Sequence, residues 1–162
     1  MKLRFIAIVA VIATLGVSAI AIPQAHAQET TVPSTATILG VCGLATVPPA
    51  INYGTLAPNQ ISAERNLQIS NTGNAQASVS VRGTNWVLVE NVATNAMPVG
   101  ATHYSTSSGS YDSKTALTTE NAQFLTLTAL QTQNTFWQLR AALSDPAIVG
   151  ATTQTVTLTG TC

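Results

Sequence analysis

The chain has 162 residues, 46% of them hydrophobic and only 7% charged, with six Lys and Arg set against six Asp and Glu. No run of positive charge is present to neutralise phosphates, so nucleic acid is excluded as a partner. Two cysteines and two histidines are poor material for a metal centre, and no cofactor is expected.

Lys2 and Arg4 give a positive start, the run from Phe5 to Ile22 carries no charge, and Pro23 breaks it. Ala25-His26-Ala27 then supplies small residues at the spacing of a signal-peptidase site, so residues 1–27 are predicted to be a secretory signal cut before Gln28. The competing reading keeps the apolar run as a membrane anchor. The polar Gln28-Glu29-Thr30-Thr31 start favours cleavage, leaving membrane contact only to an uncleaved signal. The expected location is secreted or cell-surface, or periplasmic in a cell with an outer membrane. What remains, about 135 residues, is enough for one domain with a real core. It carries four cations and six carboxylates, a net charge near −2, so Thr, Ser, Asn and Gln must cover its surface. Sheet edges with so little charge have little repulsion to keep them apart.

Residues 28–34 read as a flexible leader, and 35–41 as a first strand with Thr35, Thr37, Leu39 and Val41 on one face. Residues 28–50 thus form a leader and first strand ahead of a sandwich over 51–162. Val47-Pro48-Pro49 interrupts the pattern, because proline cannot donate to a ladder. Ile51 and Tyr53 lead into the loop Gly54-Thr55-Leu56-Ala57-Pro58-Asn59. A hairpin is expected next. Leu67 and Ile69 face inward, Asn71-Thr72-Gly73-Asn74 makes the turn, and Ala77, Val79 and Val81 face inward opposite Ser78, Ser80 and Arg82. Residues 84–92 are strand-like with apolar residues on both faces. Residues 95–115, rich in Gly and Ser, read as a long loop or extra hairpin. Leu125 and Leu127 alternate with threonines. Trp137 and Leu139 alternate with Gln138 and Arg140, and Val156 and Leu158 with threonines, so three more strands close the chain. Short β-branched strands at such spacing predict an all-β, immunoglobulin-like antiparallel sandwich of about seven to nine strands.

Cys42 and Cys162 lie near opposite ends of the mature chain. In an exported protein an even pair is expected to bridge, tying the first strand to the last; such a closure contributes about 4 kcal/mol in the loop-entropy model. Reduced thiols and a bridge between subunits are the alternatives. His103 is read as hydrogen-bonding locally. With no second histidine or carboxylate at ligand spacing, no catalytic group is assigned and the chain is not expected to be an enzyme. Calcium near Asp112 is disfavoured, since Asp112 and Glu120 are too few acids for it. Trp137 is expected in the core. Ser107-Ser108-Gly109-Ser110 reads as a flexible loop, and Asn71-Thr72-Gly73-Asn74 as turn chemistry alone.

Asn52-Tyr53-Gly54-Thr55-Leu56-Ala57-Pro58-Asn59-Gln60 and Asn66-Leu67-Gln68-Ile69-Ser70-Asn71-Thr72-Gly73-Asn74 resemble the opening of immunoglobulin-like modules of archaeal and bacterial surface proteins. Those modules run F/Y-G-T-L-x-P-G and then N-T-G-N. Residues 146–158 are similar to their closing hairpin. Asn59 stands where the pattern has Gly, which a turn accepts because Asn also tolerates positive φ. The stretch 42–53 resembles, more weakly, fimbrial subunits of the spore-coat-U type. The resemblance implies the fold, and for function it implies an adhesin, stalk, anchor or pilus subunit.

Two functional expectations result. The first is a non-catalytic structural or interaction protein of the cell surface or of an extracellular fibre. It would self-associate, or bind other surface proteins, by lending residues 31–41 to a neighbour's sheet edge. Against this stands pairing of 35–41 within its own domain, which the bridge favours. The second is a carbohydrate- or small-ligand-binding module using the 95–114 loop, with Tyr104, Tyr111 and Asp112 at its surface.

Overall fold

The computed structural model of the protein describes residues 36–91, 95–145 and 150–162. The chain divides into Met1–Ala36 and Thr37–Cys162, and every strand named below belongs to the second unit. The signal segment, Thr35 and residues 146–149 lie outside the described residues.

The described residues form eleven strands and two single 3₁₀ turns. The strands are β1 (Leu44–Val47), β2 (Arg65–Asn71), β3 (Ala77–Gly83), β4 (Trp86–Leu88), β5 (Asn95–Met97), β6 (Thr102–Ser105), β7 (Thr115–Ala116), β8 (Ala122–Leu127), β9 (Thr132–Leu139), β10 (Thr152–Thr153) and β11 (Val156–Thr161). They pair antiparallel into a sheet β1-β2-β9-β6-β7, a sheet β11-β3-β8 and a small sheet β10-β4-β5. The all-β sandwich expected from the sequence is what forms. Its count exceeds the expected seven to nine because pieces as short as β7 and β10 are distinct strands.

Period-2 alternation places the core. Leu67 and Ile69 on β2, Trp137 and Leu139 on β9 and Tyr104 on β6 face Val79 and Val81 on β3 and Leu127 on β8, all in one buried cluster. Thr135 and Trp137 are fully buried polar-tipped residues, and each is satisfied. The Thr135 hydroxyl donates to the Leu67 carbonyl at 2.7 Å, and the Trp137 indole N–H donates to Thr135 Oγ1 at 2.8 Å. Tyr104, Phe124 and Trp137 pack with ring centroids 4.7–6.1 Å apart, joining β6 and β9 of one sheet to β8 of the other.

Two expectations change and a third is resolved. First, β2 and β3 do not form a hairpin, since β2 pairs with β1 and β9 while β3 pairs with β8 and β11. The inward residues are the expected ones, but the turn crosses between sheets. Facing sheets stand about 10 Å apart, against under 5 Å for paired strands, so the crossing must be braced. The Asn71 side chain does this: it is almost fully buried, and its Nδ2 donates to the carbonyls of Ala75 (2.7 Å) and Thr128 (3.0 Å), while Oδ1 accepts from the Gly73 N–H (3.0 Å). Second, the first strand is β1, after Cys42, and residues 36–41 form no ladder. Third, of the two readings of residues 95–115 the extra hairpin is the one that forms, β6 pairing with β7, and β6 pairs on its other side with β9. Asn59, at φ 63°, adopts the left-handed conformation anticipated for it.

Candidate functional site

The two sheets are closed along one side and open along the other. On the open side β1 ends the five-stranded sheet and β11 ends the three-stranded one. A disulfide between Cys42 and Cys162, with Cα atoms 5.9 Å apart, pins the start of β1 to the end of β11. Beside it Gly160 lets the walls close up: a β-carbon there would sit 3.0 Å from Leu44 Cγ. Away from the bridge the walls diverge around a cavity of about 580 Å³. Leu44 and Thr46 line it from β1, Val156 and Leu158 from β11, with Trp86 and Tyr53 among the other lining residues. Leu44, Val156 and Leu158 are only half-buried, although they pack against the core. Burial pushes the Tyr53 phenol above its ordinary pKa.

The wall on the β11 side is longer than β11. Thr152 and Thr153 pair with Leu88 and Val87 on β4, and residues 156–161 pair with β3. One run of chain, 152–161, is thus an edge of two sheets in succession, and residues 152–156 all face the cavity. An edge strand carries backbone N–H and C=O groups with no ladder partner on its free side.

The segment before Cys42 lies outside this groove. The Val41 carbonyl accepts from the backbone N–H of Asn74 (2.9 Å) and of Ala75 (3.1 Å). Asn74 Oδ1 accepts from the Val41 N–H (2.7 Å), and its Nδ2 donates to the Leu39 carbonyl (3.2 Å). Gly73 permits the approach: a β-carbon there would lie 2.0 Å from the Val41 carbonyl oxygen. The turn expected to be turn chemistry alone therefore holds the leader against the domain. Ile38, Leu39 and Val41 are 83%, 78% and 60% exposed, an apolar stripe with no ladder. Residues 37–41 thus bond to their own domain through Leu39 and Val41, although they enter no strand ladder.

The expected ligand loop is corrected. Tyr104 is buried in the aromatic cluster and Tyr111 is buried beneath its own loop, its hydroxyl donating to the Ala101 carbonyl at 3.0 Å. Burial raises both phenol pKa values. Asp112 is exposed beside them, so no aromatic platform faces solvent there. His103 is on strand β6, stacked on Tyr111 with centroids 3.8 Å apart, its Nδ1 2.9 Å from the Tyr111 carbonyl oxygen. Trp137 is in the core as expected.

The Ser-rich loop is held by an ion pair that no sequence motif announces. The Lys114 ammonium, fully buried, meets Glu64 Oε2 at 2.6 Å and donates to Gln138 Oε1 at 2.9 Å and to the Gly109 carbonyl. Glu64 also accepts from the Ser108 hydroxyl (2.6 Å) and the Gly109 N–H (3.0 Å). Hydrogen bonds from Lys114 and then Ser108 hold the Glu64 carboxyl down at about 2. The scarcity of charge was the available signal, because a lone lysine amid serines in so neutral a chain must be used somewhere. Among the described residues no group of three or more His, Cys, Asp or Glu side chains is placed to hold a metal ion.

No family model matches the chain, and no curated protein matches it. The comparison with solved structures matches a chain from a chaperone-usher pilus studied for rod uncoiling, at 14% identity and a TM-score of 0.43, covering 85% of this chain and 98% of that one.

Proposed function

We propose that the protein is an exported, non-catalytic structural subunit that assembles outside the cell, each copy donating its leader to the groove of the next. What supports this reading is an exposed apolar stretch and an open sheet edge in one molecule. The side chains of Leu39 and Val41 are exposed, and the edges β1 and β10–β11 flank a partly apolar groove. Residues 37–41 adjoin the bridged Cys42 and line no part of the groove, their backbone held by Asn74, which favours a neighbour's groove over their own. Residues 31–41 are about as long as the edge 152–161. Ladder hydrogen bonds supply affinity, and the inward side chains of an added strand, including Thr35, Thr37, Leu39 and Val41, supply the fit. One donor and one acceptor on different faces make a heterologous contact, which propagates into a filament unless the rotation closes. Removal of residues 1–27 and export to the oxidising exterior, where the Cys42–Cys162 bridge persists, belong to the same reading.

Sedimentation and negative-stain imaging of residues 28–162 test it. The unaltered chain is expected to form polymers, and the Leu39→Asp, Val41→Asp double variant to remain monomeric with the same melting temperature. A monomer in both cases overturns the reading, as do polymers that persist in the variant.

A further inference from the structure

The far wall of the groove is shaped by a directed relay of side chains. The edge 152–161 changes sheets across Gln154 and Thr155, which belong to neither ladder. The corner is fixed instead by hydrogen bonds. Gln154 Nε2 donates to the Thr84 carbonyl at 2.8 Å, and Gln154 Oε1 accepts from the Thr102 hydroxyl at 2.8 Å. Thr102 Oγ1 in turn accepts from the Trp86 indole N–H at 3.0 Å. Thr84 and Thr155 complete the brace, the Thr84 N–H donating to the Thr155 carbonyl at 3.0 Å and the Thr155 N–H to Thr84 Oγ1 at 3.2 Å.

Every polarity in this relay is forced. Indole nitrogen only donates, a hydroxyl has one proton to give, and the amide must then turn its oxygen to Thr102 and its nitrogen to Thr84. Trp86 and Gln154 line the groove, while Thr102 is fully buried on β6, in the opposing five-stranded sheet. The relay therefore reaches from the core to the groove surface and ties the small sheet and the five-stranded sheet to the corner where the edge bends.

We propose that the Trp86–Thr102–Gln154 relay is a positioning element for strand acceptance, holding the 154–155 corner in its receiving shape before a strand arrives. The inference rests on the groove being the acceptor of a neighbour's leader. An edge already in place spares the incoming strand the ordering of its partner, and preorganisation of this kind raises affinity without adding a contact.

The test uses residues 28–162 carrying Leu39→Asp and Val41→Asp, which cannot donate, with a labelled synthetic peptide of residues 31–41 as probe. Peptide affinity is read by anisotropy, and amide exchange of residues 152–156 is followed with and without peptide. Thr102→Val, which removes the hydroxyl at nearly constant volume, is expected to weaken the peptide by about tenfold or more and to leave 152–156 protected only once peptide is bound. Thr102→Ser keeps the hydroxyl and should restore both readouts. Gln154→Leu, at a half-buried surface position, gives a second route should Thr102→Val fold poorly, with the same loss expected. If Thr102→Val and Gln154→Leu bind peptide as tightly as the parent, the relay is structural only and this inference falls while the acceptor reading stands. If the parent itself fails to bind peptide, the acceptor reading falls and takes the inference with it.

Discussion

The two long sides of the sandwich solve the same problem in opposite ways. On the closed side Phe124 reaches from β8 to Tyr104 and Trp137 on β6 and β9, so aromatic rings fill the space between the sheets. On the open side Leu44 of β1 meets β11 at Gly160, beside the disulfide, while Leu44, Val156 and Leu158 stay half-buried. The groove has an aromatic pair of its own, Tyr53 and Trp86 with ring centroids 5.8 Å apart, yet the aliphatic residues of β1 and β11 around it are left half-buried. Stability should therefore reside on the closed side and assembly on the open side.

Truncation on each side sharpens that contrast most. Trp137 is fully buried, and Trp137→Ala also strands the Thr135 hydroxyl's acceptor role, so a loss of about 3–5 kcal/mol is expected from urea unfolding. Leu158→Ala on the open side removes a half-buried side chain and should cost about 1–2 kcal/mol. In polymer formation the order should invert. A folded Trp137→Ala subunit would still assemble, whereas Leu158→Ala would weaken assembly strongly. Equal stability losses at the two positions would show the open side to be an ordinary core.

The next effect is smaller and depends on pH. The Glu64 carboxyl is held at about 2 in the folded protein against an ordinary 4.5. A depressed folded value means stability that is fully present above 4.5 and drains away as pH falls toward 2. Glu64 is 24% exposed, and with solvent screening the contribution is on the order of 1 kcal/mol. Unfolding midpoints measured from pH 6 to pH 2 should fall less steeply for Glu64→Gln than for the unaltered chain. Parallel curves would mean that Lys114 is satisfied by the carbonyls and Gln138 alone.

The inward faces of β2, β3, β9 and β11 were legible because alternation is a local property of Leu67 and Ile69, of Val79 and Val81, and of Trp137 and Leu139. Pairing was not legible. A turn between two strands of one sheet and a turn between facing sheets leave the same inward pattern, and only the buried amide of Asn71 marks the difference. The groove was illegible for a deeper reason, since it is defined by a neighbour that β1 and β11 lack among the described residues rather than by residues they contain. Tyr104 and Tyr111 misled because aromatic residues in a Ser- and Gly-rich stretch look exposed until β6 is seen to lie inside a sheet.

The smallest effect tests the second crossing between sheets, from β8 to β9. Leu130 sits in it at φ 59° and is 75% exposed, so the residue bears left-handed strain while burying almost nothing in return. That conformation costs an ordinary L-residue about 1–2 kcal/mol, and asparagine adopts it more readily. Leu130→Asn should therefore stabilise the domain by about 0.5–1 kcal/mol. Leu130→Gly relieves the strain more fully, but it loosens the unfolded chain by about 0.5–1 kcal/mol, which offsets about half of the gain. The urea midpoints of both variants are expected above that of the unaltered chain. If asparagine instead lowers the midpoint, the Leu130 side chain must be covering apolar surface in solution, and the crossing would be part of the closed side's core.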